Sequence, residues 1–588
     1  MRSRTSLCNR ADLRVDFTRF APLWAVYTAV LLALILMGMP YRPSAHSQAS
    51  VLTTLTGLMA PVQFCYALVT SLTLFGYLYD ARLCYAIHAM PQTRLCRFRT
   101  HVLSGLLFAL APDLLGAGLC LIIAPDVPEV TALWLIAVFG QYLFFFGFAV
   151  LAALCAGNRV GGVLIYGIGN FLSLLVGWIV YAVFQPLLYG VSLTMEPYID
   201  ACPLLRLTRE SYIILESELN ANFDLILKSA APGTEQLGCL ALCCCFSLVF
   251  LLIAGRLYRN RSLESAGELL SVKALRPVFL LLFTLCAGAL FHILASIFVA
   301  ASNSTYGYLM LGMVIGYFGG KMLLNRQVNV FKLRAVPGIA AICAVFLALL
   351  LLIGLDVPGI IRSIPDQEAI ASVSVTAAER SITLDTPQDI QAALALHREQ
   401  VDAWSSWRNA NRGITGLLTD TTDLSADETE AVLGPESGNA IHLTLSYRLK
   451  SGKTLERKYI VDVHSPGGEL AGAFLTRPEA VLGVKSREEL NALAGQVAVF
   501  CNDYQNRSFS IDNPLTLLNA IYDDCEAGRF LPGAYLPYGD NKLSRLFTLE
   551  IFTMDTAPRS FSLWLPIDSS YTSTVSCMKA IAPQPELE

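Results

Sequence analysis

The stretch Asp80–His101, DARLCYAIHAMPQTRLCRFRTH, decides how the chain is read. It is a polar and basic interruption between two long apolar runs, and it carries Arg82, Arg94, Arg97 and Arg99. Lys and Arg accumulate next to span ends on the cytoplasmic side of a membrane. The loop is therefore expected in the cytoplasm, and its side fixes that of every other loop.

Composition demands two regions. Of 588 residues, 54% are hydrophobic and only 15% charged, and the mean hydropathy is +0.53. That is too apolar for one soluble domain, yet the C-terminal part is too polar for a membrane. Through Ile361 there are 23 basic and 16 acidic residues; beyond it there are 19 and 30, which completes the 42 and 46 of the whole chain. The first part carries about +7 and the second about −11. The basic residues are spread over short loops rather than gathered on one face, so nucleic acid is not expected as a partner.

A helix needs roughly 20 apolar residues to cross a bilayer. Nine stretches qualify, at 21–39, 55–79, 102–124, 132–156, 163–190, 237–255, 278–300, 305–324 and 337–355. With the N-terminus inside, the inner segments hold 19 Lys/Arg and the outer loops before the tail hold four, Arg42, Arg206, Arg209 and Lys228. Nine is odd, which puts the C-terminal region outside. The first run resembles a signal peptide, with Ser47-Gln48-Ala49 as a small-residue cleavage site, but it is too long and too many spans follow, so it is read as retained. The fold class expected is an α-helical polytopic membrane domain of about nine transmembrane helices, followed by a soluble α+β extracytoplasmic domain. Residues 1–20 form a cytoplasmic interfacial segment with a short helix over Asp12–Phe20, residues 21–360 the transmembrane domain, and residues 361–588 the external domain. In the long outer loop Val191–Gln236, a helix is expected over Leu207–Leu227.

The tail reads as ordinary α+β. Strands are expected at Ala371–Thr376 and Ser381–Leu384, then a helix opened by Thr386-Pro387 with Ile390, Leu394, His397, Val401 and Trp404 on one buried face. Ile441–Leu449 and Leu455–Val463 alternate as a hairpin, with Ile441 opposite Val463, Leu443 opposite Val461 and Leu445 opposite Tyr459, across a three- or five-residue turn. Ser486–Glu489 opens a helix to about Val499, Asn513-Pro514 opens another ending near Gly528, and strands follow at Phe547–Thr553 and Phe561–Leu565.

Catalytic motifs are few. Gly452-Lys453-Thr454 lacks the earlier glycine of a phosphate loop, since Tyr447 stands there. His442 and His464 flank the hairpin and read as surface residues. No metal site is expected: the cluster Cys239, Cys243, Cys244 and Cys245 has no His or carboxylate partner and reads as small buried hydrophobes. The tail cysteines Cys501, Cys525 and Cys577 allow one disulfide, expected between Cys501 and Cys525.

Inside the spans the polar residues carry the information. Asp113 follows Pro112 in the middle of the third span, where an ionised carboxylate costs about 2.5 to 3.5 kcal/mol without a partner or water. His292 lies at comparable depth as a candidate partner, and Gln63, Gln141, Asn170 and Gln185 are further inward-facing candidates. One reading is a polar patch along a substrate path, with Asp113, His292, Gln141 and Asn170 lining it. The other is a bend at Pro112 whose freed backbone groups Asp113 bonds.

The segment His88-Ala89-Met90-Pro91-Gln92-Thr93-Arg94, with Ser104-Gly105-Leu106 and Pro112 after it, resembles permeases of the ABC-2 type, the membrane subunits of ABC transporters, as found in Gram-positive bacteria. Leu257-Tyr258-Arg259-Asn260-Arg261 with Glu264, Ala266 and Gly267 is similar to a second motif of that group, and Tyr447–Tyr459 looks like the hairpin of an external domain of unknown function that some of them carry. The resemblance implies a multi-pass protein of the bacterial plasma membrane, a permease subunit of an exporter. It binds no cofactor itself and draws on ATP through a partner, a cytoplasmic ABC ATPase. It also implies a homodimer or a pair with a sibling permease. Arg94, Arg97 and Arg99 are then the residues coupling to the ATPase, with His88 in the same element and Pro91 dividing two short helices. The alternative for each arginine is that it only enforces topology. The alternative for the whole chain is a membrane-anchored sensor or scaffold of the cell envelope.

Overall fold

The computed structural model describes the chain except residues 1–7, 39–43, 91, 210–211, 220–224, 299–304, 332, 334–335, 378–379, 411–439, 463–464, 494–496, 504–507, 512–513, 530–544, 554–561, 569–570 and 582–588. It divides into two compact units, Met1–Ile179 with Thr194–Val345, and Val180–Leu193 with Phe346–Glu588.

The first unit begins with α1 (Arg10–Arg19), α2 (Ala21–Gly38), α3 (Ala45–Leu74), α4 (Ala81–His88), α5 (Arg94–Ile123) and α6 (Pro128–Cys155). Next come α7 (Arg159–Asn170), α8 (Leu172–Trp178), the short α9 (Glu196–Asp200) and α10 (Pro203–Arg209), and the hairpin β1 (Ile213–Leu219) and β2 (Leu225–Pro232). The remaining helices are α11 (Thr234–Asn260), α12 (Arg276–Phe298), α13 (Thr305–Asn325) and α14 (Val336–Gly354), the last of which runs on into the second unit. Among the described residues nine spans are long and apolar enough to cross a membrane, at the nine places expected, with α7 and α8 in one of them. That is the pattern of a multi-pass membrane protein.

α6 is the central helix. Its span is 67% buried, against 17% for α2 and α11, and it buries Trp134, Tyr142, Phe145 and Phe146 completely. The outer helices instead turn large apolar side chains outward, Ile122 at 79% and Leu252 at 74% exposure among them. A water-soluble bundle would hide such residues; lipid accepts them. Close packing relies on small residues. A Cβ on Gly105 would enter the Phe146 ring, and one on Gly312 would stand 3.0 Å from the Cα of Gly288, which lets α12 and α13 approach backbone to backbone.

One element differs in kind from expectation. The helix expected over Leu207–Leu227 ends at Arg209, and β1 and β2 follow as an antiparallel hairpin. The period is two rather than 3.6: Ile213 and Leu215 pack into the core of the first unit with Leu227 and Ala230, while Ile214 and Glu216 are exposed. The α11 cysteines also depart from a buried reading, since Cys239, Cys243 and Cys244 are half-buried and Cys245 is exposed.

The second unit has two sheets. β3 (Ile370–Ala377), β4 (Arg380–Leu384), β5 (Ala440–Leu449) and β6 (Thr454–Asp462) form one in the order β4-β3-β5-β6. Against it packs α15 (Pro387–Ala410), which buries Ile390, Leu394, His397, Val401 and Trp404 as expected. The β5–β6 register is two residues tighter than expected: Ile441 faces Val461, Leu443 faces Tyr459, and Leu445 faces Arg457. The turn has three residues, one of the two lengths expected, but is centred one residue earlier, with Gly452 at φ +82°. A shift of two keeps every side chain on its face, and Arg457, in the buried row opposite Leu445, has its guanidinium accepted by the carbonyls of Ile360 and Ser363 at 3.0 and 3.1 Å. Segment Val180–Leu193, which begins within the fifth candidate span, groups with this unit. Lys458 N donates to the Gly190 carbonyl at 3.0 Å, and Gly190, at φ +71°, leaves room for the Tyr459 ring.

The other sheet has the order β10-β9-β7-β8, with β7 (Val497–Asp503), β8 (Ser508–Ser510), β9 (Arg545–Thr553) and β10 (Ser562–Asp568). The helix after Ser486 stops at Leu493, and Val497 already begins β7; the alternation of Val497, Val499 and Cys501 into the core overrides the helix expected to Val499. Cys501 and Cys525 share that core as thiols, not as the expected disulfide, and burial pushes the Cys525 thiol up to about 12. His464 lies outside the described residues.

Candidate functional site

Two groupings carry the chemistry. The first lies inside the bundle at Pro112. Proline has no N–H, so the Phe108 carbonyl one turn earlier loses its helical donor, and the Tyr66 hydroxyl replaces it at 3.0 Å. Asp113 therefore does not bond the freed backbone group. Its Oδ1 accepts from the Tyr27 hydroxyl at 2.6 Å, and Gln63 Nε2 donates to the same Tyr27 oxygen at 2.7 Å. Tyr27 stacks on Tyr66 with ring centroids 4.2 Å apart. Asp113 Oδ2 and Gln63 Oε1 are buried with no partner among the described residues.

The other expected path residues lie apart from this network. His292 is not the partner of Asp113; its ring stands 5.3 Å from Trp178. Gln141 Nε2 donates to the carbonyls of Thr56 and Leu207 at 3.2 and 3.4 Å, which ties α6 to α3 and α10. Asn170 Nδ2 donates to the Tyr166 carbonyl one turn back at 2.9 Å, and Gln185 bonds Val191 and Leu193. Each of these amides bonds backbone groups, and Gln141 Oε1 and Asn170 Oδ1 are buried without a partner among the described residues.

The second grouping is built from arginines at helix ends. A helix leaves its last carbonyls without partners and its C-terminus partly negative. Arg94 donates to the carbonyls of Arg259 and Arg261 at 3.2 and 3.0 Å, closing the end of α11. Arg261 donates to the Leu154 carbonyl at the end of α6 (2.9 Å) and to that of Leu78 (3.4 Å). Arg97 is buried and donates to the Ile87 carbonyl at the end of α4 and to Gln92 Oε1. Of the three arginines expected to couple, Arg94 and Arg97 are thus spent on internal carbonyls, and only Arg99 is exposed. Pro91 lies outside the described residues.

These bonds fix α4. Asp80 Oδ1 caps its start, accepting from Arg82 N (2.8 Å) and Leu83 N (3.4 Å); Cys84 is its buried anchor; and Arg97 holds its end. His88 Nδ1 donates to the Cys84 carbonyl at 2.8 Å. Burial lowers the pKa of His88, and Arg94, Arg97 and Arg261 nearby lower it further, so it stays neutral at pH 7. The outer face keeps Arg82, Leu83 (47%), Tyr85 (53%) and Ala86 exposed. Such an arrangement supports recognition: a short rigid helix with an apolar tip and a positive flank.

Sequence reasoning missed the contact that seats α1. Asp16, buried, stands 2.8 Å from His101 Nδ1 and accepts from Ser104 Oγ at 2.7 Å, while Asn9 N donates to Thr100 Oγ1 at 3.1 Å. The available signal was an acid amid the arginines of residues 1–20, opposite a His-x-x-Ser step on the next basic helix.

Among the described residues no group of three or more His, Cys, Asp or Glu side chains is placed to hold a metal. Comparison with known proteins finds no matching family model, no matching curated protein and no matching solved structure. The ABC-2 resemblance thus stands on the loop motifs and hairpin pattern alone.

Proposed function

We propose that the chain is the membrane subunit of an ATP-driven exporter, a permease of ABC-2 type whose ATP hydrolysis resides on a separate cytoplasmic subunit. The observation that carries this reading is α4, a capped and anchored helix between two candidate spans, with Leu83 and Tyr85 turned outward at the arginine-rich end of the bundle. Exposed aromatic and aliphatic residues on a rigid mount are what an interface anchor requires. Arg94 and Arg97 act as positioning residues that lock this mount to α5 and α11, so movement imposed on α4 reaches the spans through bonded contacts. Asp113 with Tyr27 and Gln63 supplies a polar point on the route between α2, α3 and α5, which favours transport over mere anchorage.

The test is purification of the full chain from its own membranes in mild detergent, with identification of what accompanies it and measurement of ATP hydrolysis. The expected result is a Walker-motif ATPase with the wild type and about tenfold or greater loss of it in Leu83→Asp with Tyr85→Asp. Recovery of the chain alone, or with envelope proteins and without hydrolysis, supports the anchored sensor instead.

A further inference from the structure

A groove of about 740 Å³ opens between the start of α5 and the end of α11. Its lining changes character along its length. On α11, Leu248, Leu252 and Arg256 follow one another at four-residue spacing, and so do Leu251, Gly255 and Arg259, so each row runs from apolar to cationic over about 12 Å. α5 contributes Leu95, Phe98 and Arg99, with Phe98 packed against Gly255 and Arg99 exposed beside it. Leu248 and Leu252 are 57% and 74% exposed, continuous with the apolar outer surface of the bundle. Arg99, Arg256 and Arg259 are exposed, and no ion pair engages them among the described residues.

We propose that this groove binds one anionic phospholipid, its phosphodiester between Arg99, Arg256 and Arg259 and its acyl chains along Leu248, Leu251 and Leu252. Charge complementarity selects the headgroup: three guanidiniums beside a groove without a carboxylate take a phosphate through paired N–H donors. The apolar rows select a lipid over a free ion or an acidic helix, because they lead away from the charges onto the outer face of the spans, where acyl chains lie. The site depends on the multi-pass membrane reading and is independent of transport and of the ATPase.

The test uses the full chain in detergent and native mass spectrometry, with phosphatidylglycerol and phosphatidylcholine as probes at equal concentration. The wild type is expected to retain phosphatidylglycerol preferentially. Each of Arg99→Gln, Arg256→Gln and Arg259→Gln is expected to weaken that retention about fivefold, and the three together on the order of a hundredfold. The control Arg82→Gln, on α4 outside the groove, retains it unchanged. If the triple variant does not fold, the single variants decide. Equal retention of the two lipids, or single variants that bind like the wild type, overturns the proposal. Displacement of phosphatidylglycerol by millimolar inorganic phosphate also overturns it, since the site then reads only the ion. An ATPase lost from the arginine variants, with lipid retention unchanged, assigns the groove to a protein partner and overturns it as well.

Discussion

At the residue scale, buried polar side chains decide most. His397 is fully buried in the second unit with Nδ1 3.0 Å from the Tyr447 hydroxyl, Nε2 without a partner among the described residues, and Arg457 nearby. Burial, aided by Arg457, lowers its pKa from 6.5 to about 4. The unfolded chain takes up this proton first, so the stability conferred by neutral His397 is complete above about pH 6.5. It is lost as the pH falls toward 4, by about 3 kcal/mol in all. Hydrogen-exchange protection of Pro387–Ala410, corrected for intrinsic rates, is expected to fall over that window and to flatten in His397→Phe; an equal slope in the variant contradicts the assignment. Tyr66→Phe removes the hydroxyl that donates to the Phe108 carbonyl one turn before Pro112, and an expected cost of about 1–3 kcal/mol is readable as a lowered melting temperature in detergent. Asp113→Asn behaves differently. The amide still accepts from Tyr27, so melting is expected to stay within about 1 kcal/mol of the wild type while substrate flux falls. Unchanged flux removes Asp113 from the route.

At the element scale, periodicity was legible wherever packing followed it. The buried face of α15 and the two strands before it stand where alternation and spacing placed them, because each apolar position has a core to enter. The β1–β2 hairpin was not legible: Ile213-Ile214-Leu215 supports either period over so short a run, and the partner strand lies beyond residues 220–224. The β5–β6 turn was legible in parity and in length but not in the register it sets, since nothing local discloses that Arg457 finds carbonyl acceptors inside. Gly190→Ala tests the contact of its segment with that hairpin. It combines a left-handed backbone with a clash against the Tyr459 ring, and a loss of about 1–3 kcal/mol is expected in thermal unfolding, more than for Gly452→Ala, whose Cβ meets open space. The arginines of Asp80–His101 were legible as a charge pattern, whereas their roles were not. Capping distant helix ends is a tertiary relation that appears only when α5, α6 and α11 are brought together.

At the scale of the whole molecule, the nine apolar helices among the described residues and a sheet-bearing C-terminal region follow from hydropathy and composition. Such segments must satisfy their backbones internally, so their number and place survive almost any packing. Function is less legible, since the proposed role needs no catalytic motif and would show itself through what docks on the chain. The measurement that tests this most directly places a photo-crosslinking amino acid at Tyr85 in the full chain and irradiates intact cells. The expected result is one dominant adduct with a Walker-motif ATPase, which fixes at once the side of the membrane on which α4 lies and the partner it meets. Adducts with envelope or extracytoplasmic proteins, or no adduct with any ATPase, contradict both the sidedness and the transport role.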